Sequence, residues 1–136
     1  MDLLVNIDVD DLERAIAFYT GAFGLRVGRR FGADGVELLG GTVPIYLLVR
    51  EAGSPASRAS TPVRDYRRHW TPLHLDFVVQ DIDTAVQRAV NAGAALEQAV
   101  QTSNWGKLAL MADPFGHGFC LVEFVGGGYD EIAVQA

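Results

Sequence analysis

The sequence predicts an α+β protein of two βαβββ units sharing one sheet system, with a helix from each unit on its outer side. Three observations predict it. An alternating strand pattern runs directly into an acid-capped helical pattern, the same succession returns 70 residues later, and each copy is followed by three further short strand patterns. The chain of 136 residues, 49% hydrophobic and 21% charged, has room for one ordinary domain. A unit of roughly 60 residues buries too little surface to stand well alone, so the two are expected to share a core.

In the first strand, Leu3, Val5, Ile7 and Val9 are apolar while Asn6 and Asp8 are polar, the period of a strand with one buried face. Asp10 or Asp11 caps the helix that follows. Leu12, Ala15, Ile16, Tyr19 and Phe23 fall on one helical face, and Gly24 is placed to end it. Leu25–Phe31, Val36–Leu39 and Pro44–Val49 then read as three strands of a meander, separated by Gly32-Ala33-Asp34-Gly35 and Gly40-Gly41.

Glu51–Val63 is small, polar and proline-containing, which predicts a mobile linker or a surface loop. Beyond it, Leu73, Leu75, Phe77 and Val79 alternate as the first strand does. Asp81 caps a second helix with Ile82, Ala85, Val86 and Ala89 inward and Gly93 at its end. Strands are expected near Ala95–Gln101, Lys107–Met111 and Gly118–Phe124, the last two joined through the turn Asp113-Pro114-Phe115-Gly116-His117. Gly126-Gly127-Gly128 predicts a flexible hinge to a tail. The expected organisation is therefore a first module over 1–50, a linker over 51–71, a second module over 72–125 and a tail over 126–136, all in one structural domain.

Several function classes are disfavoured by composition. Eleven basic against seventeen acidic side chains give a net charge of −6, which argues against nucleic acid as a partner. Residues 70–136 carry only Arg88 and Lys107 as Lys or Arg against eight acids, so the excess negative charge belongs to the second half. The single cysteine, Cys120, makes neither an intrachain disulfide nor a multi-thiolate zinc site. Apolar stretches are interrupted well short of the ~18 residues a membrane span needs, and no basic leader precedes the first strand; a soluble, cytoplasmic protein is expected.

The repeat superposes Asp11-Leu12 on Asp81-Ile82 and Ala15-Ile16 on Ala85-Val86. With VNIDVDDLERAIAFYTGAFGL, HLDFVVQDIDTAVQRAVNAGA and DPFGHGFCLVEF in that order, the chain resembles the vicinal-oxygen-chelate superfamily, which joins glyoxalases, bleomycin-resistance proteins and extradiol dioxygenases. The resemblance covers about residues 3–125. It implies paired modules in an open, cup-shaped mixed sheet, commonly a homodimer, with a small molecule in the cup. In metal-using members it also implies ligands from the first and last strands of each module. By position, the first-strand places are Leu4 and His74, and the last-strand place of the second module is Cys120. Leu4 offers no donor, the first module's last strand offers no acid, and Glu123 is expected on the opposite sheet face. The expectation is therefore that a small aromatic or cationic molecule is bound in the cup without metal or other cofactor, with antibiotic sequestration, as in the drug-binding members, as the form this takes. The alternative is a metal-dependent lyase, isomerase or dioxygenase using His74 and Glu123.

Asn6, Asp8, His74 and Asp76 lie by period on the face turned away from the helices, where polar groups orient a guest, though they also suit a solvated sheet face. Two ionised aspartates there would favour a cation. Tyr46 and Trp105 are candidate aromatic walls, Trp105 ahead of Trp70, and each equally suits a core position. Cys120 is expected in the cup as a small filler rather than a nucleophile. The Arg64, Arg67, Arg68 and His69 cluster is expected to form surface ion pairs, with anion binding as the rival reading. No catalytic residue is assigned.

Overall fold

A computed structural model describes residues 1–134; positions 135 and 136 of the expected tail lie outside the described residues. The first module runs β1 (Val5–Val9), α1 (Leu12–Phe23), β2 (Arg26–Arg30), β3 (Gly35–Leu39) and β4 (Ile45–Val49). The second runs β5 (Leu75–Val78), α2 (Ile82–Ala92), β6 (Ala95–Leu96), β7 (Gln101–Thr102), β8 (Gly106–Ala112) and β9 (Gly118–Phe124). Both helices begin as their sequence signals require. The Asp11 carboxylate accepts from Arg14 N and the Asp81 carboxylate from Thr84 N, both at 3.1 Å, each satisfying an amide that the first turn leaves without a partner. Gly24 ends α1 with φ 67°, a left-handed conformation that a side chain would strain.

Two mixed sheets result, ordered β1-β4-β3-β2 and β5-β9-β8-β6, with β7 also on β8. In each module the first strand pairs in parallel with the last, and the remaining pairs are antiparallel. The registers repeat too: Asn6 lies opposite Tyr46, and Asp76 opposite Cys120. Among the described residues no strand pair joins the two sheets; a common core does so instead. Phe23 of α1 stacks on Phe77 of β5 with centroids 3.9 Å apart, and Phe18 and Phe23 both meet the Phe119 ring. Tyr19 donates from its hydroxyl to buried Asp113 at 2.5 Å, tying α1 to the DPFGH turn.

Several local expectations are corrected. The expected strand over Ala95–Gln101 is two pieces, β6 and β7, each making a two-residue pairing with β8. Of the two readings of 51–63, the surface loop is the one observed, and it is tied down: Pro55 bridges to Val63, and Arg64 reaches Asp8 as well as Ser54. His117 extends the tie, its Nε2 2.7 Å from the Asp8 carbonyl and its Nδ1 2.9 Å from Nε2 of His69. The glycine run is not a hinge to a loose tail. A 3₁₀ helix over Gly128–Glu131 follows it, Gly127 N donates to the Glu131 carboxylate, and Tyr129 lies against Trp105 and Phe124.

Candidate functional site

Alternation decides which side chains the helices cover. Val9, Ile45, Leu47, Val36 and Leu38 in the first sheet, and Ala109, Met111, Phe119 and Leu121 in the second, point into the core. Their sequence neighbours therefore line the cup faces. These are Asn6, Asp8, Glu37 and Tyr46 in the first module, and Asp76, Val78, Cys120, Val122 and Phe124 in the second.

On the first face the polar groups satisfy one another. Glu37, only 7% exposed, takes two bonds from the Arg29 guanidinium and one from the Tyr46 hydroxyl at 3.0 Å. Those bonds, with a further one from Arg29 N, hold the Glu37 carboxyl at about 2, against an ordinary 4.5. Asp8 is likewise met by Arg64 at 2.7 Å, so it is not the free anion that the sequence reading offered to a cationic guest. Asn6 is exposed on the same strand. Neither Glu37 nor its Arg29 partner was singled out from sequence. The signal lay in one acid between apolar residues of β3, which period 2 turns away from the core.

The second face gathers three donors. The pairing of β5 with β9 sets Asp76 beside Cys120, and His74, two residues earlier, brings Nε2 to 3.2 Å from Asp76 Oδ1. One donor atom from each of His74, Asp76 and Cys120 lies within 4.8 Å of the other two. His74 is half-exposed (52%) and Asp76 exposed, whereas Cys120 is buried. Burial and then the adjacent Asp76 charge push the Cys120 thiol up to about 11 from an ordinary 9.0. As it stands it is a neutral S–H and a poor nucleophile. Glu123 is not part of this group. Its carboxylate accepts from Ile82 N at the start of α2 and pairs with Lys107 at 3.4 Å, on the helix side.

Farther along the same face, Phe124, Trp105 and Tyr129 form an aromatic cluster with centroids 4.7 to 6.3 Å apart. Phe124 is four residues beyond Cys120, roughly 13 Å along the strand. Trp105 lies against Phe124 and Tyr129, while Trp70 stands 78% exposed. Tyr129 was missed because nothing in the glycine run signals that the chain turns back. Beside the free edge of β5 lies an open cleft of ≈ 810 Å³, lined by Asp76, Phe77 and Val78 and, across from them, by Gly40, Gly41 and Thr42 of the first module. The basic cluster forms ion pairs, Arg64 with Asp8, Arg67 with Asp65 and Arg68 with Glu97.

The shared register gives a test of the metal implied by the resemblance. With Asn6 opposite Tyr46 and Asp76 opposite Cys120, the four equivalent places are Leu4, Tyr46, His74 and Cys120. Leu4 is hydrocarbon, and the Tyr46 phenol is held between Glu37 and Arg29. A grip shared by both modules therefore lacks its first-module half. The second-module trio does fit a borderline divalent ion, since it supplies the three ligands of an open zinc site from imidazole, carboxylate and thiolate.

Comparison with known proteins identifies the family and the fold. Residues 4–122 match the model of the glyoxalase-like domain. An uncharacterized protein of Mycobacterium bovis, Mb0911c, is 35% identical over 124 residues, covering 85% of this chain and 78% of the relative. The anthracycline biosynthesis protein DauV of a Streptomyces species is 33% identical over 122 residues, covering 88% of this chain and 40% of that longer protein. A crystal structure of a glyoxalase/bleomycin resistance protein/dioxygenase family enzyme from Burkholderia phytofirmans superposes with TM-score 0.74 at 25% identity, covering 92% of this chain and all of that one.

Proposed function

The chain belongs to the glyoxalase-like domain family, and from that premise we propose that it binds a small, fused aromatic molecule on the cup face of the second module. The observation that carries this reading is the Trp105–Phe124–Tyr129 wall on the same face as the His74–Asp76–Cys120 group, at a separation a polycyclic ring system spans. Stacking supplies the affinity, and the polar group orients the guest. Asp8 is paired with Arg64, so charge beside the guest comes from Asp76 and contact area from the aromatic wall. Sequestration of an aromatic antibiotic is the form of this function that the drug-binding members suggest.

An anthracycline, whose rings are fused and aromatic, is the first compound to test, because DauV bears that word in its name. Calorimetric titration should show one site, and Trp105→Ala should weaken it about 2- to 12-fold, the worth of one aromatic contact. Failure of every polycyclic compound to bind, or affinities indifferent to Trp105→Ala, overturns the reading.

A metal-dependent lyase, isomerase or dioxygenase is the second reading. The convergence of His74, Asp76 and Cys120 favours it, with Asp76 and Cys120 in the role first given to Glu123. The proposed setting for either is a cytoplasmic homodimer, supported by the free edge of β5 and by exposed Leu73 and Val78 beside the cup. Light scattering of the purified protein tests the dimer. Among the described residues no helix is long and apolar enough to cross a membrane.

A further inference from the structure

Of the four places that the resemblance supplies, Leu4, Tyr46, His74 and Cys120, only the last two carry a metal donor not already engaged with the Arg29–Glu37 ion pair. Asp76 is not one of them. It occupies the register position that Asn6 has in the first module, yet it stands between the imidazole and the thiol. We infer that His74, Asp76 and Cys120 together hold one divalent ion of the zinc class, gripped by the second module alone, with a further position left to water or to an oxygen of the guest.

Distance supports the grip. Ligands at 2.0 to 2.3 Å from a tetrahedral zinc lie roughly 3.3 to 3.8 Å from one another, so donors within 4.8 Å need about an ångström of side-chain adjustment. His74, half-exposed and just outside β5, is free to supply it. Charge supports it as well: among the described residues Asp76 has no Arg or Lys within ion-pairing distance, and its nearest cationic partner is an imidazole that is charged only when protonated. The donor set also selects the ion. One nitrogen, one oxygen and one sulfur suit zinc or cobalt, whereas magnesium, calcium and manganese favour oxygen donors in larger number. This inference deepens the metal-dependent reading of the same trio by naming the ion class and its ligands, and it does not depend on the aromatic guest.

Cobalt reports on sulfur directly. Chelator-treated protein titrated with Co²⁺ should bind one equivalent and develop a sulfur-to-cobalt charge-transfer band that zinc abolishes and manganese does not. Cys120→Ser should remove that band. Asp76→Asn should weaken binding by roughly 10-fold or more, and Glu123→Gln, on the other side of the sheet, should change neither. Cobalt bound without a sulfur band in the unmodified protein, or no cobalt bound, overturns the site whether or not the variants fold. An aromatic compound titrated into the same chelator-treated protein separates the two proposals. Aromatic binding with no cobalt band removes only the metal site, and a cobalt band with no aromatic binding removes only the aromatic guest.

Discussion

On the first module's cup face both carboxylates are answered: Glu37 by Arg29 and Tyr46 of the same module, and Asp8 by Arg64 of the linker. On the second, an imidazole, a carboxylate and a thiol have mainly one another, and an aromatic wall stands farther along the strand. The residues that make the fold recur at an offset of 70: Asp11 and Asp81 at the caps, Val9 and Val79 at the strand ends. Those on the open face do not. Leu4 becomes His74, Asn6 becomes Asp76, and Asp8 becomes Val78. A repeated unit keeps the positions that bury apolar surface, while its uncovered face is free to diverge because little stability rides on it.

If the two modules share one core, damage to α1 must be felt in both. Phe18 is fully buried in the first helix and meets the Phe119 ring of the second sheet. Phe18→Ala should cost about 3–5 kcal/mol through lost contacts and the cavity left behind. Urea unfolding followed by fluorescence in a Trp70→Phe background, which leaves only Trp105 in the second module, should shift together with the far-ultraviolet circular dichroism. Separate midpoints would show that the modules fold independently. A milder break of the same seam is Tyr19→Phe. It leaves the buried Asp113 with the amides of Phe115 and His117 but without the phenol, at an expected cost of about 1.5–3 kcal/mol in the same unfolding experiment.

That seam marks the limit of what the sequence discloses. Caps, terminal glycines and alternation are local signals, so β1, α1, β5 and α2 are legible from a few residues each. The division of 95–102 into two short strands is not, because it depends on what β8 offers rather than on its own composition. At the site, period 2 places Asp76 on the cup face as a group that could orient a guest, but not beside Cys120. The signal that His74, Asp76 and Cys120 meet is the parallel register of β5 on β9, strands some 40 residues apart in sequence. Tyr129 was invisible for a similar reason: its contacts with Trp105 and Phe124 arise only once the chain turns at Gly128.

The self-neutralised face predicts a pH dependence of definite sign. Glu37 is held at about 2 in the folded protein against an ordinary 4.5, chiefly by its bonds from Arg29. A carboxyl whose folded value is depressed adds stability that is present above the unfolded value and lost as pH falls through the folded one. The stabilisation from Glu37 should therefore be intact at neutral pH and disappear as pH falls from 4.5 towards 2. Thermal unfolding of the natural protein and of Glu37→Gln should differ at neutral pH and converge in acid. A gap that stays constant would mean that the Arg29–Glu37 pair adds nothing. The partner lies 67% exposed, so the gap should be small beside that of Phe18→Ala.

The smallest effect on stability should come from a residue with a large expected effect on binding. His74 sits outside β5, half-exposed, with its Nε2 3.2 Å from Asp76 Oδ1. Removing it opens no cavity and leaves no buried group without a partner, so His74→Ala should change stability by no more than about 0.5 kcal/mol. Its imidazole is nevertheless one of three donors at the cup floor, and the same substitution should weaken cobalt binding by roughly 10-fold or more. The matching substitution in the first module, Leu4→Ala, removes an exposed side chain and should leave cobalt binding unchanged. If both variants weaken binding alike, the loss at His74 does not report a metal–imidazole bond, because Leu4 has no donor to lose, and His74 is not a ligand. If only His74→Ala does, the second module carries the chemistry and the first completes the fold around it.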